Sequence, residues 1–513
     1  MSINMEVEEN NSYTIAPPSA SAMLESLRAY GYSLNSAISD LIDNSITAKA
    51  QNIWIHLHWD GPNSWITIRD DGLGMTDSIL SEAMVAGSQN PLLERAKDDL
   101  GRFGLGLKTA SLSLARSLTV ASKQASSSLS IRRWDLDYIA SLEKDNWILL
   151  KYPRGGAEEK LATLDAQDSG TLILLENLDK LCGGTNVASQ AHQDDFYHRI
   201  DSLRNHLGMI FHRYLSSSKK LNIYINGTKP VHAVPAWDPF CKSHNATDIK
   251  PSLDIPYDGK YVNIQGFILP HKDMMTSDEL EQAAGPNGWN AQQGFYVYRN
   301  DRLLVAGSWL GLRDSSSRWK SEEHYKLARI KVDISNDMDA DWQIDVKKSV
   351  AIPPHTVSRV LTSYASTIRK EARQIFAHRG RYGKRTKSER VSKIWVTKER
   401  KGFNAYQVDR KHPIVSNFLN KLSLEAKTEA KLLLKLIEET VPVEQIWLDA
   451  SETPEKRNTP FNTASELEVI QAAERTVKMI SGSDTPASDI VEQVCQLECF
   501  IDYQDIIFAH FGV

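Results

Sequence analysis

Four cysteines in 513 residues are too few and too scattered for a disulfide framework, which excludes the small stapled scaffolds of secreted proteins. Two of them, Cys495 and Cys499, are spaced four apart on an expected helix and read as buried thiols, because free cysteine behaves as a small hydrophobe. No apolar run approaches the ~20 residues of a membrane span. The first residues, MSINMEVEENNSYT, are polar and acidic and lack the basic and apolar segments of a secretory signal. A cytoplasmic chain without membrane segments is the expectation. A net charge of −5 excludes a uniformly basic polyanion binder and leaves only local basic patches. Internal repeats and a proper Walker sequence are also lacking. What is present is an ordinary globular composition, 41% apolar and 24% charged, with length for two to four domains.

Helical and strand patterns alternate from about Ser21 to Asn177. Ile53–Trp59 and Ser64–Arg69 read as paired strands around an Asp60-Gly61-Pro62-Asn63 turn, with further strands at Leu118–Ser122 and Thr171–Leu175. A polar stretch near Cys182–Gln193 marks a boundary. A helix around Phe196–Tyr214 follows, then strands at Leu221–Ile225, Tyr261–Ile268, Gly294–Tyr298 and Ala328–Asp333. Beyond Pro353-Pro354 helical periodicity dominates, as in Ala426–Glu439 and Glu466–Ile480.

Three short blocks carry chemistry. In Ser36–Ile46, apolar residues recur at helical spacing and set Asp40 and Asn44 one turn apart on one face. A carboxylate there can orient or deprotonate a water, and the Asn oxygen is a hard ligand for magnesium, which takes few protein ligands. Asp43 is the alternative base, disfavoured because it precedes Asn44 directly and is expected to face elsewhere. The second block, Asp70-Asp71-Gly72-Leu73-Gly74-Met75, follows a strand. Its first acid can accept a hydrogen bond from an exocyclic base amine, and its glycines let backbone approach a flat ring. The third, Gly101-Arg-Phe-Gly104-Leu-Gly106-Leu-Lys108-Thr109-Ala110, opens an expected helix over Leu105–Ser117, where free amides and the helix dipole favour anions. Leu107 separates Gly106 from Lys108, so the Gly-Lys-Thr step of a Walker loop is broken.

In order and spacing, the three blocks together resemble the GHKL (Bergerat-fold) ATPases: gyrase B, the heat-shock chaperone of ninety kilodaltons, histidine kinases and MutL. The likeness covers about residues 20–180. It implies an α+β protein: an arm at 1–20, a Bergerat α/β sandwich at 21–185, an α+β transducer domain at 186–355 and a mainly helical C-terminal region at 356–513. It further implies ATP and Mg²⁺ as cofactors. Asn44 takes the magnesium position and Asp70 the adenine-recognising one. Gly72 and Gly74 shape the pocket, and Met75 packs on the base. Gly101, Gly104, Leu105, Gly106, Leu107, Lys108 and Thr109 form the lid hinge and phosphate cradle, with residues 76–100 as lid. Thr171 supports Asp70. Asp40 stands where hydrolysing members carry Glu, so slow hydrolysis is implied.

The stretches Gly294–Arg302 and Asp345-Val-Lys347-Lys348-Ser349 resemble the transducer of gyrase B, MutL and Microrchidia (MORC) proteins, in which a lysine reaches the γ-phosphate. Lys348 is the first choice and Lys347 the second. Arg369 to Lys401 holds thirteen Lys and Arg against three Glu, a local excess that attracts phosphate backbones. The arrangement most resembles prokaryotic MORC/MutL-like proteins. That implies an ATP-dependent homodimer acting on DNA, or with nuclease or methylase partners, in defence against foreign DNA. A chaperone-like ATPase and an ATP-binding interaction module without turnover are the alternatives. His192 and His198 flank Asp194 and Asp195 on what reads as helix surface.

Overall fold

A computed structural model describes residues 18–87, 106–143, 146–216, 221–313, 317–345, 348, 350–377, 392–400, 403–443, 446, 460–461, 463–480 and 487–512. Strict alternation sets the first strand, β1 (Asn52–His58). Ile53, Ile55 and Leu57 are buried, while Trp54, His56 and His58 point to the opposite face. It pairs antiparallel with β2 (Trp65–Asp70). Further along come β3 (Ser117–Lys123), β4 (Ser130–Asp135), β5 (Gly170–Glu176) and β6 (Asn222–Ile225). They form one six-stranded sheet in the order β4-β3-β5-β2-β1-β6, antiparallel except for the β1–β6 pair.

Helices α1 (Ala20–Arg28), α2 (Leu34–Thr47), α3 (Asp77–Met84) and α4 (Gly106–Leu114) accompany this sheet. Leu24, Leu27, Ile38, Leu41 and Ile42 from α1 and α2 share one core with Ile53, Ile55, Ile68, Val120 and Ile173 of the sheet. Burial of this order, at about 25 cal/mol per Å² of apolar surface, is what stabilises a two-layer sandwich. Ser33 starts α2 through a capping box with Ser36. The helix Gln190–Ile210 also packs on α2. It breaks at Phe211 before a short helix His212–Ser216, so the expected single helix to Tyr214 is two.

The second sheet contains β7 (Asp248–Ile249), β8 (Leu253–Tyr257), β9 (Lys260–Ile268), β10 (Gly294–Arg299), β11 (Arg302–Ser308) and β12 (Ala328–Ile334). Its order is β11-β10-β12-β9-β7, with β8 also on β9 and β10–β12 parallel. The helix His355–Ala377 packs against it, with Val357, Leu361, Ala365, Ile368 and Ala372 buried.

Two compact units divide the chain, residues 1–381 and 382–513. The second holds a hairpin, β13 (Trp395–Arg400) with β14 (Phe403–Val408), a helix Leu424–Glu439 whose Ala430 and Leu434 pack on Val408, Val415 and Leu419, and a helix Glu466–Ile480 in a cluster with Val491 and Val494.

Three readings of the sequence are corrected here. The strand at 222–225, assigned to the second region, completes the first sheet, because Ile223 and Ile225 bury against the core that Ile53 and Ile55 build. The helix from His355, assigned to the C-terminal region, belongs to the second sheet's layer. Cys495 is the last residue of a helix beginning at Ala487, so Cys499 is not its helical neighbour, although both thiols lie in the same apolar cluster. Among the described residues no helix is long and apolar enough to cross a membrane, and no group of three His, Cys, Asp or Glu could hold a metal ion.

Candidate active site

The end of β2 delivers Asp70, whose register sets Thr171 of β5 directly opposite. The carboxylate is 5% exposed. Its Oδ1 accepts the backbone N–H of Gly72 at 3.0 Å and of Thr171 at 3.1 Å, and its Oδ2 accepts the Ser45 hydroxyl at 2.8 Å. All three donors are neutral. Burial pushes the Asp70 carboxyl above the usual carboxylate range, and these three bonds oppose that rise. A carboxylate has about four acceptor positions, so one remains for a ligand's amine.

Thr171 supports Asp70 with its amide, while its hydroxyl pairs with Ser122 Oγ at 2.8 Å. Ser122 in turn donates to the Gly170 carbonyl and accepts the Met75 N–H at 2.9 Å. Both glycines of the block are sterically required. A Cβ on Gly74, at φ +67°, would stand 1.9 Å from the Lys123 carbonyl oxygen, and one on Gly72 2.8 Å from that of Ala48. Met75 is half-buried against the core. The neighbouring Asp71 turns away. Its oxygens accept the Gln51 and Asn52 amides and the Asn52 side chain, fixing the start of β1.

Helix α2 presents two faces to this region. Ser45 reaches Asp70, and Asn44 beside it is exposed. Asp40, one turn before Asn44, and Asp43, immediately before it, are both buried, at 4% and 1% exposure. The expectation that Asp43 faces elsewhere fails, because residues three apart on a helix share a face as those four apart do. Both acids meet cations from the second sheet. Asn300 and Asp301, each at positive φ, form the two-residue turn between β10 and β11 that places Arg302 at the start of β11. Arg302 Nε lies 2.9 and 2.8 Å from the two Asp43 oxygens, and Nη2 3.5 Å from Asp40 Oδ1. Lys348, also buried and at φ +54°, pairs with Asp43 and lies 3.3 Å from Asp40 Oδ1. The Tyr32 hydroxyl donates to Asp40 Oδ2 at 2.8 Å, and burial together with Asp40 raises its phenol far above the ordinary range.

Gly106 and Leu107 open α4, and Lys108 and Thr109 are buried within its first turn. Lys108 Nζ donates to the Ala83 carbonyl at 2.9 Å, at the end of α3, and burial lowers its ammonium to about 8. Gly101, Gly104, Leu105, Lys347 and most of the expected lid lie outside the described residues.

Residues 32–171 match the family described as histidine kinase-, DNA gyrase B-, and HSP90-like ATPase. This stretch resembles a GHKL ATPase domain. Across 89 residues the chain is 32% identical to ATPase morc-1 of Caenorhabditis elegans, a match covering 17% of this chain and 10% of that protein. The chain thus spans about a tenth of the length of the relative it matches. Both likenesses point the same way, to the GHKL ATPases and, among them, to a MORC ATPase.

Reasoning from the sequence missed Ser45, Ser122 and Arg302. Ser45 adjoins Asn44 on a helix, so its direction toward Asp70 had a local signal. Arg302 had none, since it lies 259 residues from Asp43. The basic segment also changes. Arg369 is buried, stacked on Tyr325 at 4.0 Å and Trp319 at 4.3 Å, and is therefore part of the second sheet's packing. Residues 378–391, the densest part of that segment, lie outside the described residues.

Proposed function

We propose that the chain is an ATP-operated conformational switch that binds ATP with magnesium, hydrolyses it slowly and dimerises in the bound state. The observation that carries the binding half is Asp70, a buried carboxylate held by three neutral donors with acceptor capacity left for the adenine amine. Gly72 and Gly74 let the turn after Asp70 pack directly on the backbone at Ala48 and Lys123, which supports a fixed backbone beside the carboxylate. Asn44 would hold magnesium with the phosphates, and the metal would supply charge neutralisation on them. Asp40 would orient the attacking water. Its side chain is one methylene shorter than Glu, a difference of ~1.5 Å that can cost about a hundredfold in rate, so slow turnover follows.

Lys348 would report the third phosphate; its ammonium, 3.3 Å from Asp40 Oδ1, supports that reading. The closed dimer would act on DNA or with nuclease or methylase partners in prokaryotic defence, as the resemblance to MORC and MutL proteins implies. Roles for Gly101, Gly104, Leu105, Gly106, Leu107, Lys108 and Thr109 at the phosphates belong to the same proposal.

Phosphate release measured with and without DNA, on wild type and Asp40→Ala, tests this. Turnover should vanish in the variant while binding of ATP survives; unchanged release would remove Asp40 from the mechanism. A second reading, ATP binding without turnover, draws on one observation: Tyr32, Lys348 and Arg302 already engage Asp40. Nucleotide binding by wild type with no phosphate released would select it. A monomer by light scattering under every nucleotide condition would end the dimer proposal.

A further inference from the structure

Asp43 is the most deeply buried acid beside the site, and the nucleotide reading gives it no task. Yet it is the centre of the charge cluster. Arg302 Nε holds both its oxygens within 2.9 Å, against 3.5 Å from Arg302 to Asp40. Lys348 Nζ stands 2.5 Å from Asp43 and 3.3 Å from Asp40. Two carboxylates and two cations make the cluster neutral, with the neutrality distributed toward Asp43.

We infer that Asp43 is a positioning residue that draws Arg302 and Lys348 away from Asp40, leaving Asp40 able to engage a water and limiting the positive charge that faces a triphosphate. This rests on the proposed nucleotide site and deepens it. Buried ions take the nearest counter-charge because desolvation leaves no alternative. Removing the Asp43 charge therefore has two opposed effects. Both cations turn to the one remaining carboxylate, so Asp40 is saturated and hydrolysis slows. The cluster also becomes net positive, so a triphosphate bound beside it is held more tightly. Loss of binding and turnover together is the signature of simple structural damage. The split between them is the signature of charge positioning.

The experiment uses the full chain with Asp43→Asn, Asp43→Glu and the double variant Asp43→Asn/Arg302→Met. Affinity is read by titrating a fluorescent non-hydrolysable ATP analogue with magnesium, and kcat by phosphate release. Asp43→Asn is expected to bind the analogue as tightly as wild type or a few-fold tighter, with kcat down about tenfold or more. Asp43→Glu should restore most of the rate. If Asp43→Asn does not fold, the double variant restores neutrality with Lys348 left on Asp40 alone. It should fold, bind with wild-type affinity and remain slow. Wild-type kcat in Asp43→Asn or the double variant, or affinity falling in step with kcat, overturns the proposal. A wild type that binds no analogue overturns the nucleotide reading and this inference with it. A wild type that binds without turnover leaves the affinity arm to decide: weaker binding by Asp43→Asn refutes the inference, and equal or tighter binding supports it.

Discussion

The two sheets of the first unit solve the same problem, a buried polar group, with opposite chemistries. Around Asp70 the first sheet uses hydroxyls and amides: Ser45, Ser122, Thr171 and the Gly72 N–H. The second sheet uses guanidinium groups. Arg299 pairs with Asp339, Arg302 with Asp43, and Arg329 donates to the Pro239 and Ala283 carbonyls amid Trp237, Trp289 and Tyr296. Each of these arginines is at most 3% exposed. Neutral donors hold an acid without cancelling its charge, so it can still recognise a ligand. Fixed cations consume the charge they meet and instead set a permanent field. On the proposed reading, the surroundings of Asp70 would serve recognition and those of Asp43 electrostatic bias.

The comparison breaks most sharply at Asp70. Asp70→Asn should weaken adenine nucleotide binding about a thousandfold, roughly 4 kcal/mol by titration calorimetry, because a site built to accept an amine would then present one. Wild-type affinity should also decline on acidification from above the usual carboxylate range, because burial makes Asp70 take up its proton early. A variant that binds normally would show that recognition lies elsewhere.

The second sheet's bias is tested at His212. It is 5% exposed, with Nε2 at 2.9 Å from the Tyr298 hydroxyl, and burial with the nearby Arg213 and Lys242 lowers it to about 3. From pH 6.5 down to 4 the unfolded chain gains the proton that the folded chain refuses. Stability should therefore fall by about 3 kcal/mol from this residue over that range. Urea unfolding of His212→Gln should lack that part of the slope, and an unchanged slope would refute the account.

Smaller effects sharpen the first sheet. Gly74→Ala forces a Cβ against the Lys123 carbonyl and should cost about 2 kcal/mol in urea unfolding. Thr171→Val leaves the amide on Asp70 intact and removes only the hydroxyl pair with Ser122. A loss of about 1 kcal/mol and a few-fold change in nucleotide affinity are expected. A larger drop in affinity would mean that the hydroxyl itself serves the ligand.

What could be read from the chain before folding follows the same division. Asp70, Gly72 and Gly74 are legible because a strand end, a turn and a steric demand occupy six consecutive residues. The strands β1, β2, β3, β5, β6, β9, β10 and β12 are legible from alternation or apolar runs. Their partners are not, since nothing local in Asn222–Ile225 says that it lies parallel to β1. β4 and β11 escape notice because Arg132, Arg133 and Arg302 interrupt their apolar pattern, although all three are buried in the fold. The cation cluster at Asp43 needs residues far apart in sequence, and its one local clue is the spacing of three from Asp40.

The parallel pairing of β6 with β1 has a consequence for synthesis. The first sheet cannot close its β1 edge until residue 225 has left the ribosome, long after β1 and β2 have formed their hairpin. At ordinary elongation rates that delay is on the order of ten seconds or more, during which a row of backbone donors and acceptors on β1 stands open to other chains. A fragment ending near residue 185 would keep that edge open permanently. The shortest nascent chain able to complete this sheet therefore extends well into the region that the domain motifs alone would have cut away.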